Sequence, residues 1–264
     1  MTVTVYGTAA CEDTAIVADR LRALGVPFTA VDLDADAAAD AFVRGLHAGA
    51  RVTPTVVVDG RQPIAEPSLD DLAVLLHRSG IPAAAPPPIQ FHRPMTDRAV
   101  PLRTLPLAGE ASAGLSLARW RDRSQVALFL AHPAGCPACA GYARQLARST
   151  PALTEVGAVL VIALPGAPEP VATWRAEFVP GALVLADPGG AWGTAVRSHA
   201  GLPAEGPVLL LLDRYLAPRV ASTGTDAGRL LAPGEAREWL AFLQLEGTAC
   251  SLELEPPEDA EPGG

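Results

Sequence analysis

No lysine occurs among the 264 residues, so all 20 basic side chains are arginine. Against 29 acids they leave a net charge of −9, and no basic stripe forms. Nucleic-acid binding depends on neutralising phosphates, so no nucleic-acid partner is expected. Long apolar runs are also lacking. None approaches the ~20 residues that a membrane-crossing helix needs, so no membrane partner is expected either. The opening MTVTVYGTAAC has no basic end and reads as a strand rather than a leader. Cysteine is scarce, with Cys11, Cys136, Cys139 and Cys250 making up the whole set. That is too few for a disulfide-held secreted framework, so the expected location is the cytoplasm. There a close cysteine pair is more often catalytic or metal-binding than structural. Aromatic residues make up only 5%. Trp120, Trp174, Trp192 and Trp239 therefore read as core or interface side chains, not cofactor plates.

What the chain has in quantity is apolar residues, at 49%. They fall into two successive α/β series. In the first, TVTVY (2–6) alternates as a strand and leads to Cys11, with a helix from about Thr14 to Leu24. FTAVDLD (28–34) is a second strand, 37–47 a helix, TVVVDG (55–60) a strand, and Ser68 caps a last helix. IPAAAPPPIQFHRP (81–94) breaks this pattern. Its prolines favour polyproline II, which predicts a semi-rigid spacer. The second series runs from VALFLA (126–131) through a helix at 139–149. AVLVIAL (158–164), ALVLAD (182–187) and VLLLLD (208–213) are further strands, and their continuous apolar runs suit strands covered on both faces. The domains expected are 1–81, a linker over 82–97, a second domain over 98–247, and an acidic disordered tail over 248–264.

VYGTAAC (5–11), GVPFTAVDLD (25–34), RVTPTVVVDG (51–60) and PSLDDLAVLL (67–76) resemble the glutaredoxin family. The resemblance implies a cis bond before Pro54, and it places Cys11 at the nucleophile position. The usual resolving cysteine is replaced by Thr14, which makes this a monothiol site. Arg51, Val52, Thr53 and Pro54 would meet glutathione or another thiol substrate. The family's lysine before the cysteine is Thr8 here, and its Gly-Gly-x-Asp segment reads Ala65-Glu66-Pro67-Ser68. Glu12 and Asp13 flank the sulfur, and negative charge opposes thiolate formation.

Residues 104–246 look like the redoxin branch of the thioredoxin superfamily. The matching segments are 113–130, GCPACAGYARQL (135–146), DPGGAWG (187–193) and GPVLLLLDRYL (206–216). Pro207 takes the cis-proline place of that family, where substrate is contacted. Cys136-Pro137-Ala138-Cys139 has the spacing of a small-ring disulfide at a helix start. Cys136 would attack, and Cys139 would resolve the mixed disulfide. His132 could move a proton near Cys136. A metal is not expected, because the sequence offers no second Cys pair and no His-x₃₋₅-His. A thiol peroxidase pattern would make Cys139 the peroxidatic sulfur, with Cys136 and His132 at the positions of its threonine and proline.

These readings make the chain an α/β protein of two tandem thioredoxin-like domains joined by a proline-rich linker. The expected function is cytosolic thiol–disulfide oxidation and reduction through Cys136 and Cys139, with Cys11 as an auxiliary monothiol. No cofactor is expected beyond a reductant, namely glutathione, another low-molecular-weight thiol or a thioredoxin-type partner. The expected substrates are protein or small-molecule disulfides. The alternatives are a peroxiredoxin-like thiol peroxidase and a non-catalytic interaction protein that keeps both folds.

Overall fold

The computed structural model describes residues 2–59, 61–83, 98–109 and 114–252. Most of the proline-rich spacer, and the tail beyond Leu252, lie outside these residues.

The first unit begins with β1 (Val3–Gly7), α1 (Glu12–Ala23), β2 (Phe28–Asp32) and α2 (Ala37–Leu46). It continues with β3 (Thr55–Val58), β4 (Ile64–Ala65) and α3 (Leu69–Arg78). Its sheet has the order β2-β1-β3-β4, with β1 parallel to β2 and antiparallel to β3. Val3, Val5, Val56 and Val58 bury one face of that sheet beneath Val17, Leu21, Leu72 and Leu76. Ser68 caps α3 through a reciprocal exchange with Asp71, so that helix starts where the sequence places it. The Thr53–Pro54 bond is cis, as the family resemblance implies.

The second unit opens with the small ribbon β5 (Leu105–Pro106) and β6 (Gly114–Leu115). It then runs β7 (Gln125–Leu130), α4 (Pro137–Arg148), α5 (Thr150–Glu155), β8 (Ala158–Pro165), α6 (Pro168–Phe178) and β9 (Leu183–Asp187). It ends with α7 (Ala191–His199), β10 (Val208–Leu212), β11 (Pro218–Thr223) and α8 (Pro233–Leu252). The sheet order is β11-β10-β7-β8-β9, with β7, β8 and β9 parallel and β10 antiparallel to both of its neighbours, β7 and β11. All side chains of β7 and β10 are buried. That explains their unbroken apolar sequences, because helices cover both faces of the sheet.

Three expectations need correcting. Gly206–Pro207 is not a cis bond; among the described residues the cis bond is Thr53–Pro54 alone. The turn before β10 is made instead by Gly206 at φ +89°, a conformation that favours glycine. A Cβ at Gly206 would also strike the Gly224 carbonyl oxygen. Residues 248–252 are the last turns of α8 rather than the start of a disordered tail. No proline interrupts the chain between Pro233 and Pro256, so nothing in the sequence stops the helix at 247. Both cysteine-bearing helices also begin earlier than their periodicity suggested, directly after the sulfur.

The two units pack through α1 and α4. Ile16 and Leu69 leave their own unit's core and join the core of the second. Arg20 is 3% exposed and donates to the carbonyls of Gly228 (3.2 Å) and Leu230 (2.8 Å). It also pairs with Glu235 at 3.5 Å. Leu69 N–H donates to Gln145 Oε1 (3.0 Å), and Gly234 N–H to Asp70 Oδ2 (3.0 Å). These bonds join buried polar groups across the boundary, where each would be costly if left alone.

Candidate active site

Cys136 caps α4 from an extended backbone (φ −87°, ψ 106°), and Pro137 takes the first helical position, where its fixed φ and missing N–H cost nothing. The Cys136 sulfur accepts from the Cys139 N–H at 3.4 Å. One turn on, Cys139 is 1% exposed within the core, whereas Cys136 is half-buried at its edge. His132, from the loop after β7, brings Nδ1 to 3.6 Å from the Cys139 sulfur. The ligating atoms of His132, Cys136 and Cys139 all lie within 4.8 Å of one another. This places His132 beside the pair, where the sequence reading expected it to move a proton. The trio could supply three of the four donors of a tetrahedral zinc site.

The two thiols are electrostatically unequal. The hydrogen bond from Cys139 is the main cause that lowers the Cys136 pKa to about 5; burial opposes it, and His132 and the Cys139 N–H add to it. Cys139 moves far above the ordinary thiol range, first because it donates to Cys136 and then because it is buried. Asp19 of α1 comes close enough to feel both sulfurs. Its own pKa is raised by burial, then by Asp226, and also by Cys136. The sequence carried no signal for Asp19, because its proximity depends on how the two units dock.

We expect alkylation of Cys136 by iodoacetamide to reach half its plateau rate near pH 5. In Cys139→Ala that midpoint should move up towards the ~8.5 of a free thiol. A midpoint unmoved by Cys139→Ala would show that the hydrogen bond does not hold the thiolate. The folded pKa lies below the unfolded one, so the thiolate contribution to the reduced fold is complete above ~8.5 and is lost as pH falls through about 5.

Cys11 sits at the equivalent place in the first unit, capping α1 from an extended backbone. Its sulfur lies 3.5 Å from Thr53 Oγ1 and 3.7 Å from the Thr53 carbonyl, beside Pro54. Of the expected glutathione contacts, Arg51 is already paired with Asp34 (2.6 Å) and Asp40 (2.9 Å). The Val52 carbonyl accepts from Thr55 Oγ1 (2.9 Å). Glu12 and Asp13 do not bear on the sulfur as bare charges. Arg144 of α4 pairs with both (3.3 and 3.0 Å), and Arg148 also reaches Asp13 (3.5 Å).

The structure does not bring Cys11 to the dithiol. Glu12 and Asp13 meet the C-terminal half of α4, and Ile16 meets Gly141. Asp19, about two turns further along α1, feels the charge of Cys136 at the start of α4, so the helices run antiparallel. Cys11 and Cys136 cap opposite ends of the pair. About 12 Å of helix separates Cys11 from Asp19, more than a disulfide can span.

The chain holds two α/β units, each with a cysteine at the start of its first α-helix. Residues 3–62 match the Glutaredoxin family, so the first unit is glutaredoxin-like. No curated protein sequence gives a significant match to the chain. Solved structures of similar shape include a secreted thiol-disulfide isomerase from Corynebacterium glutamicum. It has a TM-score of 0.45 and 15% identity, over 55% of this chain and 84% of that one. Peroxidoxin BcpB from Mycobacterium tuberculosis gives 0.46 and 17%, over 57% and 97%. A Plasmodium vivax 2-Cys peroxiredoxin gives 0.47 and 11%, over 62% and 88%. Among the described residues, no helix is long and apolar enough to cross a membrane.

Proposed function

We propose that the chain is a cytoplasmic thiol–disulfide oxidoreductase that works through Cys136 and Cys139. The observation that carries this reading is the inequality of the two sulfurs: one half-exposed and held as thiolate, the other buried and held as thiol. Cys136 S⁻ attacks a disulfide R–S–S–R, forming Cys136–S–S–R and releasing RS⁻. Cys139 then gives up its proton, for which His132 at 3.6 Å is the nearby acceptor, and attacks the Cys136 sulfur. The second RS⁻ leaves and the Cys136–Cys139 disulfide remains. Two electrons have passed to the substrate. Glutathione, another low-molecular-weight thiol or a thioredoxin-type protein would return them. Cys11 stands apart from this cycle as an auxiliary monothiol.

Two features count against the peroxidase alternative. It would place attack on Cys139, whose sulfur is buried and whose proton is tightly held. It also needs an exposed, low-pKa sulfur at that position. We expect the reduced protein to catalyse insulin reduction with a dithiol donor and to consume hydrogen peroxide no faster than a free thiolate does. Rapid peroxide consumption that depends on Cys139 alone would replace this reading with the peroxidase.

A further inference from the structure

Beside the dithiol, a cavity of about 750 Å³ opens over the C-terminal ends of β7, β8 and β9. Crevices at this end of an open α/β sheet are where such folds take ligands, and the volume suits a tripeptide-sized molecule. One wall is His132, whose ring also reaches both cysteine sulfurs. The apolar floor is formed by residues such as Leu130 and Ala163.

Across the cavity stands Arg197 of α7. It donates to the carbonyls of Pro203 (3.3 Å) and Gly206 (2.6 Å), which uses two of the guanidinium's five N–H donors. Among the described residues it forms no ion pair. Asp187, which lines the same cavity, accepts from Trp192 N–H (3.1 Å) and Gly193 N–H (2.7 Å) and makes no ion pair with Arg197. Arg51 and Arg144 have carboxylate partners, and their pKa values rise for that reason. Arg197 is lowered, with burial as the cause. A half-buried cation without a counter-charge, set in a cavity wall with free donors, is an arrangement that a carboxylate would complete.

We propose that this cavity holds the carboxylate end of a small thiol or disulfide substrate, with Arg197 as the recognition residue and the sulfur end reaching Cys136 past His132. The proposal rests on the oxidoreductase reading and names its substrate class. Electrons and protons balance as in the cycle above, with the two RS⁻ groups leaving as thiols after protonation.

S-methylglutathione carries carboxylates but cannot exchange sulfur, so calorimetric titration isolates binding from turnover. We expect it to bind the reduced protein and to bind Arg197→Gln about tenfold more weakly. Glu205 is an exposed acid on the cavity rim. Glu205→Gln should strengthen binding by roughly twofold, an effect that misfolding does not produce. In turnover, Arg197→Gln should raise KM for glutathione disulfide about tenfold and leave the neutral bis(2-hydroxyethyl) disulfide unchanged. The proposal is overturned if the unaltered protein binds no S-methylglutathione, if Arg197→Gln binds it equally well, or if both disulfides lose turnover alike. Arg197-dependent binding without turnover of any disulfide would uphold the site and remove the oxidoreductase reading.

Discussion

Cys136→Ser should abolish disulfide reduction, lowering the rate on the order of 10³-fold or more, because a serine hydroxyl does not ionise near neutral pH. Cys139→Ser should behave differently. Cys136 remains half-exposed and can still attack, but nothing resolves the adduct. One equivalent of substrate should then accumulate as a mixed disulfide visible by intact mass. The asymmetry follows from burial: Cys139, at 1% exposure, reaches only the sulfur bonded to Cys136. Equal, slight effects of the two substitutions would identify a structural pair. The reverse asymmetry, with trapping in Cys136→Ser, would exchange the two roles.

The second large effect concerns the joint between the units. Glycine inside a helix is ordinarily a weakness, and Gly→Ala there stabilises by about 0.5–1 kcal/mol. Gly141 of α4 should show the opposite sign. A Cβ there would meet the Glu12 carbonyl oxygen and come to 2.9 Å from Ile16 Cγ2, and backbone cannot step aside as a side chain does. Gly141→Ala is therefore expected to destabilise, and Gly141→Leu to cost about 3 kcal/mol as α1 is pushed off α4. Thermal unfolding should fall by about 6–12 °C for the leucine variant. A rise in either variant would mean that α1 does not lie against α4 in solution.

Both predictions show what could be read from the chain and what could not. The two α/β series were legible because apolar runs such as VLLLLD and turn signals such as the Gly25–Pro27 step report local requirements. The CPAC loop was legible for the same reason, since three-residue spacing at a helix start fixes the two sulfurs by local geometry. β4 was not, because two residues at a sheet edge carry no periodicity. The docking of the units was also hidden. Ile16 and Leu69 look like ordinary core residues of the first unit, yet they pack into the second. Arg20 reads as a solvent-facing helix charge but is buried on carbonyls some 210 residues away in sequence. That docking changed the reading of Cys11. Glu12 and Asp13, flanking acids in the sequence, are ion-paired to Arg144. Arg51, a candidate glutathione contact, is spent on Asp34 and Asp40. Asp19 and Arg197 gave no sequence signal, because their importance comes from neighbours contributed by distant segments.

The central claim is that Cys136 and Cys139 form a reversible two-electron couple to which Cys11 does not contribute. The protein should be equilibrated across a series of thiol/disulfide buffers, quenched with acid and alkylated, and each cysteine mapped by mass spectrometry. The account predicts that Cys136 and Cys139 lose alkylation together in one two-electron transition and regain it on reduction, joined to each other, while Cys11 stays outside that bond. Independent titration of the two sulfurs, a Cys11–Cys136 linkage, or a pair that stays reduced at every buffer ratio would contradict it.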